Sequence, residues 1–177
     1  LQSPKYRKIT GDWQAYLDGD DGDDPSRHSK RPVYEYARKI IYRRYDRIMK
    51  KGGAIGSSSP DEDLHRLRIQ CKKLRYNLEF FSSIFPPEEI ARVIKQLKRL
   101  QNNLGDFNDL SVQQDMLQDY LSTIKPGSDK ALKLAAAIGG LLAALHHEQS
   151  DVRNRFVATF GKFSGSKNSK LFSKLFG

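Results

Sequence analysis

The chain has 177 residues, the length of one ordinary domain, and 38% of them are hydrophobic, enough for a core but not a generous one. No apolar run reaches the roughly 18 residues a membrane-spanning helix needs, and no cleavable leader is expected. A single cysteine, Cys71, excludes an internal disulfide and a cysteine-based zinc cluster. The 31 Lys and Arg residues outweigh 21 Asp and Glu, for a net charge of +10. Such a balance points to an anionic partner: nucleic acid, a membrane surface or a free polyanion. A cytoplasmic location is the default expectation, and an opening Leu1 in place of Met suggests a piece of a longer protein.

Taken in chain order, the segments alternate between loop punctuation and apolar residues at three- and four-residue steps, with no period-2 strand pattern. The spacing predicts helices over about 4–17, 32–50, 60–85, 87–104, 108–123 and 129–163. The breaks between them are LDGDDGDDPSRHSKRP (17–32), KGGAIGSSSP (51–60), FPPEE (85–89), LGDFND (104–109) and KPGSD (125–129). The reading is all-α: an antiparallel helical bundle over residues 32–163. Residues 1–31 hold the end of a preceding helix plus an acidic loop, and 164–177 form a C-terminal tail.

The helix at 32–50 carries Lys39, Arg43, Arg47 and Lys50 at steps of four, four and three. Those steps put successive cations roughly 5–6 Å apart. Tyr36, Tyr42 and Tyr45 interleave with them and are read as packing residues rather than stacking platforms for bases.

The third helix opens with Ser59 as N-cap, Pro60 at its first position and Glu62 three residues after Ser59, the pattern of a capping box. Leu67, Cys71, Leu74, Leu78, Phe81 and Phe85 then make one apolar stripe. His65, Arg68, Lys72, Arg75, Tyr76 and Glu79 make a second stripe, centred about 120° away. Arg66 and Lys73 fall on the outer side. Like charges at i,i+4, as in Arg68 and Lys72, destabilise an isolated helix by a few tenths of a kcal/mol, and only Glu79 compensates them within the helix. Either the stripe is a solvated basic face, or an external anion completes it. Two basic ladders on adjacent helices could line one groove.

Other candidates are read structurally. Asp109 is placed in the first turn of its helix, within reach of Arg75. Cys71 is a buried, inert thiol. His146 and His147 serve capping or packing, and IGGLLAAL (138–145) allows close helix packing. The tail KLFSKLFG, a short amphipathic repeat, docks on the bundle or stays mobile, with membrane contact as the lesser alternative.

Two segments carry a resemblance. LHRLRIQCKKLRYNLEFF, followed by LKRLQNNLGDFNDLSV, is similar to the CHAD domain, the conserved-histidine α-helical domain. The first resembles that family's H-x-x-R-x-x-x-K-x-L-R-Y helix, the second its L-x-x-L-Q-x-x-L-G-x-x-x-D element. The resemblance covers about residues 30–163. It implies an all-helical fold of two similar bundle halves around a basic central cavity, binding to inorganic polyphosphate, and company with triphosphate-hydrolysing tunnel domains. The family's full domain holds two copies of the histidine-basic helix. One is found here, so the chain resembles the C-terminal half, and self-association or pairing with a missing N-terminal half is expected. Carry-over is limited to the single motif: His65, Arg68, Lys72 and Arg75, with Lys73 and Tyr76 beside them.

The chemistry agrees with that implication. A polyphosphate offers repeated anionic oxygens, which Arg meets bidentately and Lys as a point charge. A charged His65 would be favoured beside it. No Walker loop, G-x-S-x-G elbow or H-E-x-x-H is present, so a binding module is expected rather than an enzyme, with no cofactor and no metal. Two alternatives stand: a nucleic-acid-binding helical module, or an accessory domain to a triphosphate-processing enzyme.

Overall fold

The computed structural model describes residues 32–56 and 58–177. Among them run α1 (Val33–Gly53), α2 (Asp61–Phe80), a 3₁₀ turn (Ser82–Ile84), α3 (Pro87–Ser122), α4 (Asp129–Ser164) and α5 (Ser166–Phe176), with no strand. The expected all-α bundle is the observed class. The helix expected over 4–17 and the acidic loop after it lie outside the described residues.

One core draws on every helix. α1 contributes Ala37, Ile41, Tyr45 and Ile48, at steps of four, four and three. Gly52 continues that row and lets the Phe160 ring of α4 lie against the α1 backbone. α2 contributes Leu64, Leu67, Cys71, Leu74 and Leu78, none more than 1% exposed. Burial of five such side chains, at about 1.5–3 kcal/mol for each full-size one, is what fixes this helix in place.

The expected boundaries shift where backbone chemistry intervenes. α2 stops at Phe80 rather than 85, because Phe85 precedes a proline and is extended, with φ −121° and ψ 160°. The 3₁₀ turn spans the gap. The capping box does not form. Pro60 occupies the cap position without a side-chain bond, Glu62 pairs forward with Arg66 at 3.0 Å, and Ser59 Oγ accepts from the Gly56 N–H at 2.9 Å. The start of α2 is held instead by three first-turn acids that suit the helix dipole. Arg153 of α4 adds bonds to the Asp61 carboxylate and the Ser59 carbonyl.

The expected break at 104–109 is absent: α3 runs unbroken from Pro87 to Ser122. A mid-helix glycine is disfavoured by about 1 kcal/mol relative to alanine. Around Gly105, Leu100, Leu104, Phe107 and Leu110 are all buried in helical register, and their burial outweighs that penalty. Asp109 is therefore exposed in mid-helix, not in a first turn. α4 starts cleanly: Gly127 takes φ +119° in the turn, and Ser128 Oγ accepts from the Ala131 N–H at 3.1 Å.

The tail docks. Phe172, Leu175 and Phe176 of α5 are buried. The Phe172 ring stacks on Tyr45, centroids 3.9 Å apart and planes 9° from parallel. Tyr45 also donates to Ser169 Oγ at 3.0 Å, and Lys174 meets Glu89 of α3 at 2.6 Å. Farther from this core, α3 and α4 expose Met116, Tyr120, Leu132 and Leu141. Within IGGLLAAL only Ile138 is buried; a Cβ on Gly139 or Gly140 would meet open space, so these glycines do not serve close packing.

Candidate functional site

The inward row of each helix decides where its cations point. On α1, Lys39, Arg43 and Arg47 each follow a core residue by two positions, about 200° around the helix. They face away from the core and are exposed. On α2, Arg68, Lys72 and Arg75 each follow a core residue by one, about 100° around. They flank the core and are half-buried. Arg66 and Lys73 are exposed. The difference is large within one helix: the Arg75 side chain is 30% exposed, that of Arg66 60%.

Arg68 and Lys72 form no ion pair with any described residue. Arg75 has Glu79 at 3.6 Å, too far for a hydrogen bond from its buried Nε. Its guanidinium sits 5.5 Å from the Tyr76 ring centroid. The expected pair between Arg75 and Asp109 is not made; Glu79, one turn along the same helix, takes that place.

His65 is bound elsewhere. Its Nδ1 lies 2.8 Å from Asn108 Oδ1, tying the start of α2 to α3. Beside it opens a polar cavity of about 480 Å³, lined by Asp61, Glu62, Asp115 and His146 among others. At its back Gln149, 7% exposed, donates to Ser111 Oγ at 2.5 Å and accepts from Gln114 at 3.1 Å. His146 and His147 are exposed rather than packed, and neither caps a helix; His146 borders this cavity and His147 lies 4.0 Å from Asp151. The motif histidine thus borders a carboxylate-bearing cavity, and Arg68, Lys72 and Arg75 are not among its lining residues.

Among the described residues the two ladders line no common cavity of those found. Lys39 and Arg43 border a shallow depression of about 560 Å³ with Tyr42, Asp46 and Phe176, and no α2 residue lines it. The reason is the 200° offset on α1. Tyr45 packs as expected, while Tyr42 is 37% exposed.

Cys71 is fully buried, and burial pushes its thiol up to about 12, the opposite of what a nucleophile needs. Among the described residues no three His, Cys, Asp or Glu side chains are placed to hold a metal ion. No helix among them is long and apolar enough to cross a membrane.

Sequence reasoning passed over Asn108, Gln149 and Arg153. Asn108 sits inside the segment read as a break, so its helical register was hidden. Arg153 makes its bonds across 92 residues of sequence, and no local pattern marks that.

The family model of the CHAD domain matches residues 1–118, two thirds of the chain. The chain belongs to the CHAD domain family. The match takes in the first 31 residues and ends within α3, whereas the motif resemblance spanned about 30–163. No curated protein sequence matches the chain. CHAD domains are associated with polyphosphate- and triphosphate-related proteins.

Proposed function

We propose that this CHAD domain is a binding module for inorganic polyphosphate or a similar polyanion, which lies along α2 against Arg68, Lys72 and Arg75. The observation that carries the reading is the half-burial of Arg68 and Lys72 without an acidic partner among the described residues. Desolvating a cation is unfavourable unless an anion meets it. A polymer with a charge at every repeat meets several at once. Tyr76 borders the stripe, Lys73 lies on the outer side of the helix, and His65 marks the N-terminal end of the stripe. Lys39, Arg43 and Arg47 form a separate exposed ladder that adds long-range attraction more than contact.

The facing helix supports the same reading. α2 and α3 are joined by a short link, and the start of α2 meets the middle of α3 through His65 and Asn108, so they are antiparallel. By that register Lys72 lies opposite Gln101, whose Oε1 is buried without a partner, and Arg68 lies opposite Gly105, where a Cβ would meet open space. Binding rather than catalysis is part of the proposal, since Glu79 is the one acid on the stripe.

A nucleic-acid-binding reading has one observation in its favour. Tyr76, beside the Arg75 guanidinium, and Phe80 are 54% and 79% exposed, as a base-stacking platform would be. Direct competition separates the two readings. Long-chain polyphosphate should displace single-stranded DNA and RNA of equal charge at near-physiological salt. Equal or tighter binding of DNA or RNA would overturn the polyphosphate reading. Service as an accessory domain to a triphosphate-processing enzyme is compatible with either.

A further inference from the structure

A basic groove lies away from the histidine helix. The N-terminal part of α3 and the junction of α4 with α5 enclose about 900 Å³, and five of the lining residues are cations: Arg92, Lys95, Arg99, Lys162 and Lys167. No acidic and no aromatic side chain lines it, and neither does any residue of α1 or α2. Arg92 alone has an acidic partner among the described residues, Glu88 at 3.4 Å on the open surface. Arg92, Lys95 and Arg99 recur at steps of three and four, so they share one face of α3. That face points outward, because Val93, Leu97 and Leu100 hold the inward one.

The floor of the groove is unlike an ordinary charged surface. Gly161 and Gly165 leave the backbone bare at the helix junction. Gly165 is the N-cap of α5 and offers no side-chain cap; the Asn168 N–H turns back to the Gly165 carbonyl at 3.0 Å, while those of Ser166 and Lys167, at the positive end of the helix dipole, have no intrahelical acceptor. Asn168, only 6% exposed, lines the same groove. Its amide donates to the Phe163 carbonyl at 2.6 Å and its buried Oδ1 is an acceptor, so an anion here is met by the cations and N–H groups rather than by Asn168.

We infer that this groove is a second anion site of the domain, for a short inorganic phosphate chain such as tripolyphosphate or one stretch of a longer polymer. Five cations concentrated on one cavity repel each other unless a multivalent anion neutralises them. Arginine gives bidentate contacts to phosphate, lysine point charges, and the open helix start additional N–H donors. Without an aromatic side chain the groove gives bases nothing to stack on, which disfavours single-stranded nucleic acid. The inference goes beyond the α2 stripe and stands or falls without it.

Calorimetric titration of the full chain with tripolyphosphate tests it. The wild type should bind at two sites. Lys72→Ala with Arg75→Ala should remove one site and leave the other. Lys95→Ala with Arg99→Ala should remove the complementary one, weakening it by about tenfold or more. Lys95→Arg with Arg99→Lys should largely restore it. Lys98→Ala, on the same helix but outside the groove, should change little. All these side chains except Lys72 and Arg75 are exposed, and a thermal melt of each variant confirms that it folds. A single site abolished by the Lys95 and Arg99 changes alone would support the groove while sinking the α2 reading. An unchanged titration for Lys95→Ala with Arg99→Ala would overturn the inference. So would an equal loss in Lys98→Ala, or displacement of tripolyphosphate from the groove by oligothymidylate at equal charge.

Discussion

His65 and Asn108 clasp α2 to α3: Nδ1 of the one lies 2.8 Å from Oδ1 of the other, across 43 residues of sequence. An amide oxygen accepts, so in this geometry the imidazole Nδ1 is the donor. The clasp orients the ring and fixes the register of the helix that bears Arg68, Lys72 and Arg75.

Asn108→Leu should therefore remove one hydrogen bond and let the histidine ring swing. A loss of about 0.5–1.5 kcal/mol of stability is expected, typical of a single neutral hydrogen bond. Urea denaturation reads it. A midpoint equal to the wild type would show that the clasp contributes nothing to the fold.

Gly52→Ala brings two opposing effects into one measurement. Alanine favours a helix over glycine by about 1 kcal/mol. Its methyl group, however, would lie inside the van der Waals envelope of the Phe160 ring. Overpacking of this kind costs about 1–3 kcal/mol. The clash should win and the variant should melt at a lower temperature. Pairing it with Phe160→Leu should recover part of the loss.

Stability should fall at alkaline pH. Burial raises the Cys71 thiol from 9.0 to about 12, and burial also raises the Tyr45 hydroxyl above 10.0, against the opposing pull of its bond to Ser169. The folded state holds these protons to higher pH than the unfolded chain does. Their contribution is fully present below about pH 9 and is lost as pH rises toward 12. Thermal melts between pH 7 and 11 should be level at first and then decline, and Cys71→Ala should soften the decline. The native thiol should resist a thiol-reactive disulfide at pH 8 until denaturant is added. Rapid labelling without denaturant would contradict its burial.

How far the sequence revealed this architecture depends on the range of the interactions involved. The core row of α2 was legible because burial repeats every three or four residues. Offset from the row was legible too: one position past the core gives the half-buried Arg68, Lys72 and Arg75. The same count applied to α1 shows why Lys39, Arg43 and Arg47 face away, yet proximity in sequence suggested a shared groove. Gly105 was read as a break because local propensity disfavours it, while the burial that carries α3 through is tertiary. The docking of α5 rests on Tyr45 and Phe172, which lie 127 positions apart in the numbering. The cavity beside His65 and the groove at Arg99 each gather residues from three helices, and no short motif announces such a meeting.

The central claim is that position on α2, not total charge, governs polyphosphate binding. Fluorescence anisotropy with labelled long-chain polyphosphate, on Arg66→Ala and Lys72→Ala side by side, tests it most directly. Each variant loses one positive charge from the same helix. Screening decays over roughly 8–10 Å at physiological ionic strength, so a cation facing bulk water contributes little to a polymer on the other flank. Lys72→Ala, and likewise Arg68→Ala or Arg75→Ala, should weaken binding about tenfold or more and lower its salt dependence. Arg66→Ala should stay within about twofold of the wild type. Equal losses in Arg66→Ala and Lys72→Ala would contradict the account and leave a basic surface without a site.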